Sequence, residues 1–325
     1  MFKKSLVIAT IAAAAITLGG CSATEADAGA NANASGLPAE LVLGLVPSQD
    51  VDKLVIDAEV LGELLAAELG IPVTATVTAS YAALVVAMQA EQAHIGMFGP
   101  IALVQAMDQA DAVAALQSVR YGSSTYVTQW YTNDPDRFCE TDVVTDEDGY
   151  TFCNGTDTAE SGPVGVESLT KISQDESIAF VDEGSASGYY YPATQLQAAG
   201  LDPFDLSGSF FAGGHPNAVL SVARGDATVG VSFNDARQEV VEELPTIGSD
   251  VTVFAWSENI PNDGIAIAGS LDEDAQQQIT DAFLAIAETE EGAAILKSVY
   301  NIDGLVPADL DALDAARLVE AAFGE

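Results

Sequence analysis

The chain has 325 residues, of which 10 are Lys or Arg and 49 are Asp or Glu, so its formal net charge is −39. Hydrophobic residues make up 49% of it, which is too apolar for a disordered polyanion, and the length suggests two compact domains. The charge argues against nucleic-acid binding and against adhesion to anionic lipid, because no basic surface is available for either. A carboxylate-rich surface with few lysines predicts halophilic adaptation, in which the carboxylates keep the protein hydrated.

The first twenty residues are predicted to be a lipoprotein signal peptide. After a short positive start, residues 6–18 form an apolar run, shorter than the roughly 20 residues of a membrane-spanning helix. The run ends in Leu18-Gly19-Gly20-Cys21, which resembles the lipobox of bacterial lipoproteins, whose cysteine is acylated; an ordinary signal peptide is the alternative. Residues 21–38 then form the acylated Cys21 and a flexible tether of small polar residues. We therefore expect a protein held at the extracytoplasmic face of the cell membrane by its lipid alone.

Beyond the tether, strands and helices alternate. Residues 41–47 are a short apolar run that ends at a proline, typical of a buried strand, and 52–69 has apolar residues at helical spacing and closes on Gly70. The pattern then predicts a strand at 73–77, a helix at 82–92 and strands at 95–98, 178–181 and 230–232, with helices at 189–199 and from 272 onward. Short alternating units predict an α/β fold with mainly parallel sheets and helices on both faces.

Two cysteines, Cys139 and Cys153, lie in the body of the chain. An exported protein occupies an oxidising compartment, so the pair predicts a disulfide that closes a loop rich in Asp, Thr and Gly. A metal site is the alternative, but no histidine lies nearby and two thiols do not complete a coordination sphere. We expect neither a metal nor a cofactor.

Five segments of the body form a pattern that is typical of one known family. They are residues 43–50, 80–84 and 95–100 in the first part, and 181–189 and 211–218 in the second. Together they resemble the phosphonate-type solute-binding proteins of ABC transporters, over about residues 41–291. The resemblance implies the two-lobed type II periplasmic-binding-protein fold with a hinge between lobes. Lobe one is then expected at 39–125 plus 254–325 and lobe two at 126–253, with a disulfide-closed insertion at about 134–160.

The resemblance implies an anion site at the start of a predicted helix. Ser185, Ala186 and Ser187 match the segment that holds the phosphonate oxygens, where free backbone N–H groups and the helix dipole favour an anion. An ordinary serine N-cap is the alternative. The family carries Ser-Thr-Ser there, so Ala186 lacks one hydroxyl. His215 follows two glycines and matches a loop that donates to the phosphonate, although a lone histidine is more often structural.

Two tyrosines and two aspartates complete the expected site. Tyr81 and Tyr126 match phenols that line the cleft, with a core tyrosine as the alternative for Tyr126. Asp235 and Asp263 match carboxylates that clamp the ammonium of aminoalkylphosphonates, and they would repel a phosphonate unless a cation lay between. They imply a zwitterionic ligand such as 2-aminoethylphosphonate. A solvated surface carboxylate is the alternative for each, and Arg237 is close enough in sequence to neutralise Asp235.

The resemblance implies that the lobes close on a small phosphorus oxyanion and that the closed form delivers it to an ABC permease driven by its ATPase. Phosphite, phosphate and methylphosphonate are the alternative ligands, and we expect a monomer. A secreted hydrolase that uses Ser185, His215 and Asp235 is a remote alternative. A nucleophile elbow needs serine at the centre of its Gly-x-Ser-x-Gly motif, and Ala186 occupies the corresponding position here. We therefore expect a binding protein and not an enzyme.

Overall fold

The computed structural model of the protein describes residues 36–323. The predicted signal peptide, the predicted lipidation site Cys21 and most of the predicted tether lie outside these residues. Across residues 36–323, helices fall short of the length and hydrophobicity needed to cross a membrane.

Strands and helices alternate over much of the described chain. The strands are β1 Leu41–Leu45, β2 Val73–Val77, β3 Ile95–Phe98, β4 Val113–Val119, β5 Thr125–Tyr126, β6 Thr128–Thr132, β7 Val144–Thr145, β8 Thr151–Phe152, β9 Ile178–Phe180, β10 Phe210–Phe211, β11 Val229–Phe233, β12 Thr252–Trp256, β13 Ile260–Pro261, β14 Gly264–Ile267 and β15 Gly304–Pro307. The α-helices are α1 Val51–Leu69, α2 Tyr81–Gln89, α3 Pro100–Ala110, α4 Pro135–Phe138, α5 Tyr191–Ala198, α6 His215–Ala223, α7 Ile247–Asp250, α8 Glu273–Ala287, α9 Glu290–Tyr300 and α10 Leu310–Ala321. A π-helix, Ala186–Tyr190, leads directly into α5.

The elements predicted from the sequence are largely present. The strands predicted at 73–77 and 95–98 are β2 and β3, and the first predicted helix is α1. Helix α1 begins where the Asp50 side chain accepts a hydrogen bond from the Lys53 backbone N–H (2.9 Å), and it ends at Gly70, whose φ of 69° suits glycine. Strand β15 interrupts the region that was predicted to be helical throughout. Its residues are only partly buried at a sheet edge, so it lacks the apolar run by which strands are recognised.

The first sheet has the order β15-β4-β14-β3-β1-β2. β1 lies in parallel between β2 and β3, which the alternating β and α units predict. β14 is inserted between β3 and β4 and is antiparallel to both. The half of the sheet from β15 to β3 is therefore antiparallel.

The second sheet has the order β10-β9-β11-β6-β12-β8-β7. β6 is inserted between β11 and β12 and is antiparallel to both. The α/β class with two sheets is as predicted, but the sheets are mixed and not mainly parallel. The inserted strands β6 and β14 each follow a crossing from the other sheet, so no β-helix-β unit sets their direction.

The chain crosses between the two sheets at two adjacent points. Along the chain, the first crossing contains β5, between β4 and β6, and the second contains β13, between β12 and β14. The two crossings pair with each other, since Tyr126 is opposite Ile260 and Thr125 is opposite Pro261 in an antiparallel two-stranded sheet. The second sheet extends to Trp256, three residues past the predicted lobe boundary at 253.

Each sheet packs a hydrophobic core. In the second sheet, Trp130 faces a cluster with Phe254, whereas its neighbour Tyr131 faces a second cluster with Val253. Successive side chains of a strand point to opposite faces, so β6 and β12 supply both cores. Helices cover both faces, which fixes the ends of the strands and the loops that follow them.

The predicted disulfide between Cys139 and Cys153 is present, with the two Cα atoms 5.7 Å apart. It ties α4 to the end of β8, and β8 pairs in parallel with β12. The disulfide segment therefore extends the second sheet by two short strands. The Asn154 side chain adds hydrogen bonds to the carbonyls of Phe138 (3.1 Å) and Phe254 (2.9 Å).

We expect the Cys139→Ser/Cys153→Ser double variant to lose about 3 kcal/mol of unfolding free energy, because the uncrosslinked chain regains loop entropy when it unfolds. Urea denaturation followed by circular dichroism measures this loss. The wild-type protein with its disulfide reduced is the control and should lose a similar amount. Equal midpoints for all three samples would contradict a stabilising role for the crosslink.

Candidate functional site

A small cavity lies where the loops of the two sheets meet, and we call it the first cavity. The centre of a water molecule has a volume of about 20 Å³ available to it there, so the cavity is large enough to hold a water molecule. Seven of the eight residues predicted for the site line it. The lining residues are Val46, Ser48, Gln49, Tyr81, Gly99, Arg120, Tyr126, Ser185, Ala186, Ser187, His215, Phe233 and Asp263.

Four helices begin at the first cavity. Tyr81 is the first residue of α2, Gly99 is the N-cap of α3, Ser185 is the N-cap of the π-helix that runs into α5, and His215 is the first residue of α6. Backbone N–H groups in the first turn of a helix have no partner within it, and the helix dipole makes this end positive. Four such ends at one cavity favour a bound anion.

The serine segment is buried and held in place by its own hydrogen bonds. Ser185 and Ser187 are 2% and 1% exposed, and the Ser185 hydroxyl accepts a hydrogen bond from the Gly188 N–H (3.1 Å). Ser185 is thus the N-cap that the sequence left open as an alternative, and it lines the cavity as well. Gly184 is required just before it, because a Cβ there would lie 2.6 Å from the Cβ of Tyr81.

Both predicted tyrosines lie in the cavity wall with their phenols protonated. Burial raises the pKa of the Tyr81 phenol well above its usual value, and the Asp263 carboxylate raises it further. The pKa of Tyr126 is raised by the same two causes, while a hydrogen bond with the Ser187 side chain works against the rise. Each phenol therefore keeps its hydrogen at neutral pH and can donate it to an anion.

His215 joins the two sides of the site. Its backbone N–H donates to the Ser48 carbonyl (3.0 Å), and its Nδ1 lies 2.7 Å from the Ser232 hydroxyl. Burial lowers the pKa of His215 from 6.5 to about 3, and the Arg120 charge contributes to the same effect. The ring is therefore neutral at neutral pH. When Nδ1 accepts from Ser232, the ring hydrogen is on Nε2 and is available to an anion.

Asp263 lines the cavity as predicted, but its partner there is Arg120. The guanidinium Nη2 donates to the Asp263 carboxylate, and the two side chains are only 12% and 17% exposed. Arg120 is not among the residues predicted for the site. The sequence feature that could have indicated it is the scarcity of basic residues, since the chain has only 10 Lys and Arg residues. Arg120 directly follows β4, where a crossing between the sheets begins.

Asp235 was expected to clamp the ligand from the wall of the cavity, and the structure places it elsewhere. It is not among the residues that line the first cavity. Its carboxylate accepts hydrogen bonds from Nη2 (2.6 Å) and Nε (3.0 Å) of Arg237, which is fully buried and also donates to the carbonyls of Thr151 and Val251. Asp235 is therefore the counter-ion of a buried arginine, and its carboxylate is not free to clamp an ammonium.

The same contacts bear on the hydrolase alternative. Ser185 caps a helix, the Nδ1 of His215 faces Ser232, and Asp235 pairs with Arg237, so the three do not form a relay. Between residues 36 and 323, no cluster of three or more His, Cys, Asp or Glu side chains is arranged to hold a metal ion.

Comparison with known proteins gives a consistent result. The family model for the periplasmic phosphonate substrate-binding proteins of ABC transporters matches residues 43–313. The phosphate-import protein PhnD of Mycolicibacterium smegmatis is 26% identical over 230 residues, which cover 69% of this chain and 64% of the mycobacterial protein. The match thus spans slightly less than two thirds of that relative.

Two solved structures share the fold. A binding protein component of an ABC phosphonate transporter from Pseudomonas aeruginosa superposes with a TM-score of 0.71 at 18% identity, over 86% of this chain and 85% of that one. PhnD1 of Prochlorococcus marinus, in complex with methylphosphonate, superposes with a TM-score of 0.72 at 17% identity, over 88% and 98% of the two chains. The two-lobed type II arrangement predicted from the sequence is confirmed.

We expect Asp235→Asn to lower the unfolding free energy by about 3–5 kcal/mol, because it leaves a buried guanidinium without its counter-ion. Urea denaturation measures the loss. The matched control is Asp226→Asn, which changes an exposed carboxylate and should stay within about 0.5 kcal/mol of wild type. Equal stability of the two variants would contradict a structural role for the Asp235–Arg237 pair.

We also expect the imidazole of His215 to stay neutral from about pH 8 down to pH 5, since its pKa is about 3. Because this pKa is lowered from 6.5, acid favours the unfolded chain, and stability falls as the pH drops from 6.5 towards 3. NMR of the ring resonances tests this directly, because the chain has only two histidines and His215→Gln assigns them. A His215 titration midpoint near 6.5 would overturn the prediction.

Proposed function

Because the chain belongs to the family of periplasmic phosphonate substrate-binding proteins of ABC transporters, we propose that it captures a phosphorus oxyanion without an amino group and presents it to a membrane permease. The family consists of binding proteins and not of enzymes. Methylphosphonate, phosphate and phosphite are the candidate ligands. The observation that carries this choice is the ion pair between Arg120 and Asp263 inside the first cavity.

The charges around the cavity support an anion that brings no cation of its own. Arg120 and Asp263 are its charged lining residues and cancel, while His215 is neutral. The helix ends, hydroxyls and phenols then supply partial positive charge for the oxyanion. An ammonium group in the first cavity would meet the Arg120–Asp263 pair, whose carboxylate is already taken by the guanidinium, and no free carboxylate lines that cavity. This disfavours 2-aminoethylphosphonate, which the sequence analysis preferred.

The known ligands of relatives are compatible with this choice. The mycobacterial relative is a phosphate-import protein, and the Prochlorococcus protein was solved with methylphosphonate. Neither molecule carries an amine. The net charge of −39 does not prevent binding, since salt screens distant surface carboxylates beyond about 8–10 Å, whereas the helix ends touch the cavity.

The mechanism that we propose is closure of the two lobes on the ligand. Ser48 and Tyr81 come from loops of the first sheet, whereas Ser185 and His215 come from loops of the second. A ligand held from both sides stabilises the closed form by its differential affinity for that form. The paired crossings at Tyr126 and Ile260 are the hinge. The closed form would then dock on a permease that its ATPase drives, with the lipid at Cys21 as the membrane anchor.

Isothermal titration calorimetry with methylphosphonate, phosphate, phosphite and 2-aminoethylphosphonate tests the ligand class. We expect at least one amine-free anion to bind at least about 10-fold more tightly than 2-aminoethylphosphonate, which corresponds to about 1.4 kcal/mol. Arg120→Gln should weaken the amine-free ligand by about 10–100-fold, the effect of losing a charge-assisted hydrogen bond. The same change frees Asp263, so the affinity for 2-aminoethylphosphonate should rise.

Arg224→Gln is the matched control, because Arg224 is an exposed arginine that pairs with Glu243, away from the cavity. It should leave every affinity unchanged. If Arg120→Gln is too unstable to assay, Arg120→Gln/Asp263→Asn removes both charges and should still weaken the anion. Preference of the wild type for 2-aminoethylphosphonate would refute the amine-free class and restore the ammonium clamp.

A further inference from the structure

A second cavity of about 280 Å³ adjoins the first one. The two share four lining residues, Gln49, Arg120, Tyr126 and Phe233. A bare oxyanion or the methyl group of methylphosphonate would leave this larger space unused. Small-molecule sites are concave spaces with a few polar groups that fix the ligand's orientation, and the second cavity has this character.

Three residues that line the second cavity each carry a buried polar atom without a hydrogen-bond partner in the described part of the chain, and two of them, Gln49 and Arg120, line the first cavity as well. The atoms are the indole Nε1 of Trp256, the side-chain Oε1 of Gln49 and the guanidinium Nε of Arg120. Most buried polar atoms in folded proteins are paired, and leaving one unpaired is costly. Two of these atoms are donors and one is an acceptor. A hydroxyl group both donates and accepts, so hydroxyls on a ligand satisfy this mixed set.

The charges around the second cavity restrict the substituent further. Its charged lining residues are Arg120, which is already paired with Asp263, and the exposed Glu160. A carboxylate or an ammonium on the ligand would be attracted by one of these two side chains and repelled by the other, so neither sign of charge is favoured. The remaining lining residues are uncharged. A neutral substituent is therefore the one that suits this space.

We propose that the ligand is a phosphorus oxyanion with a short, neutral, hydroxylated organic substituent, either a hydroxyalkylphosphonate or a phosphate monoester of a small polyol. This inference rests on the proposed function, because it places the oxyanion in the first cavity and the substituent in the second. The Trp256 indole donates to a substituent hydroxyl, and Gln49 Oε1 accepts from it. Ala159 and Glu160 of the cavity wall follow the disulfide-bonded Cys153 by six and seven residues.

The first test compares 2-hydroxyethylphosphonate with ethylphosphonate on the wild-type protein by isothermal titration calorimetry. The two ligands differ only in the hydroxyl, and a site built to bind a hydroxyl rejects the analogue without it, so we expect at least about a 10-fold preference for the hydroxylated ligand. Glycerol 3-phosphate in a third arm distinguishes a phosphate monoester from a phosphonate. Equal affinities for the hydroxylated and plain ligands would overturn the inference.

The second test uses Trp256→Phe, which keeps an aromatic ring and removes the N–H. This variant should lower the affinity for 2-hydroxyethylphosphonate by about 5–10-fold, the effect of one lost hydrogen bond. Its affinity for ethylphosphonate should be unchanged. Tyr189→Phe is the control, because it removes a polar hydrogen from a ring that lines neither cavity. An equal loss for both ligands in Trp256→Phe would mean that the indole acts only on the fold, which would overturn its assigned role.

Methylphosphonate separates the two proposals. If methylphosphonate, phosphate, phosphite, 2-hydroxyethylphosphonate and glycerol 3-phosphate all fail to bind, the proposed function itself is wrong. If they bind and the added hydroxyl gives no gain, only the substituent inference is wrong.

Discussion

The exchange of strands between the two sheets is the constraint on which the rest of the structure depends. β6 enters the second sheet from the first, and β14 enters the first sheet from the second, each antiparallel to both of its neighbours. Neither sheet is complete without a strand that arrives through a crossing, so the pairing of β5 with β13 is fixed by two hydrophobic cores. The crossings also end at the site. Arg120 leaves β4 and Asp263 precedes β14, which brings the two charges together from 143 residues apart.

The electrostatics of the site are local in an otherwise acidic molecule. Each of the eight Lys and Arg residues between residues 36 and 323 pairs with a carboxylate. Most of these pairs are partly exposed and contribute little, because water and salt screen them. Arg237 is fully buried and Arg120 nearly so, and a buried charge must be paired. Arg237 donates hydrogen bonds to backbone carbonyls at the second sheet, whereas Arg120 and its partner determine the charge of the first cavity. Two similar ion pairs therefore have different consequences.

Local pattern could predict much of this structure, whereas long-range pairing could not be predicted. Apolar runs and caps located β2, β3 and α1, and the serine segment and His215 each lie at the start of a helix beside the first cavity. The antiparallel insertion of β14 has no local signal, because it depends on which strand fills a gap in a distant sheet. Asp235 and Asp263 are equally plausible acids in a list of 49, and only the fold decides which arginine meets which.

The lack of a hydroxyl at Ala186 can be weighed against the same distribution of charge. Ala186 is 2% exposed and lines the first cavity, where its methyl side chain offers no hydroxyl to a ligand. Here Arg120 places a guanidinium in the cavity wall, and a charge-assisted hydrogen bond is roughly twice as strong as a neutral one. One arginine can therefore offset the missing hydroxyl. The unpaired Nε of Arg120 belongs to a side chain that lines both cavities, so the two forms of selection that we propose, by charge and by substituent, meet at the same residue.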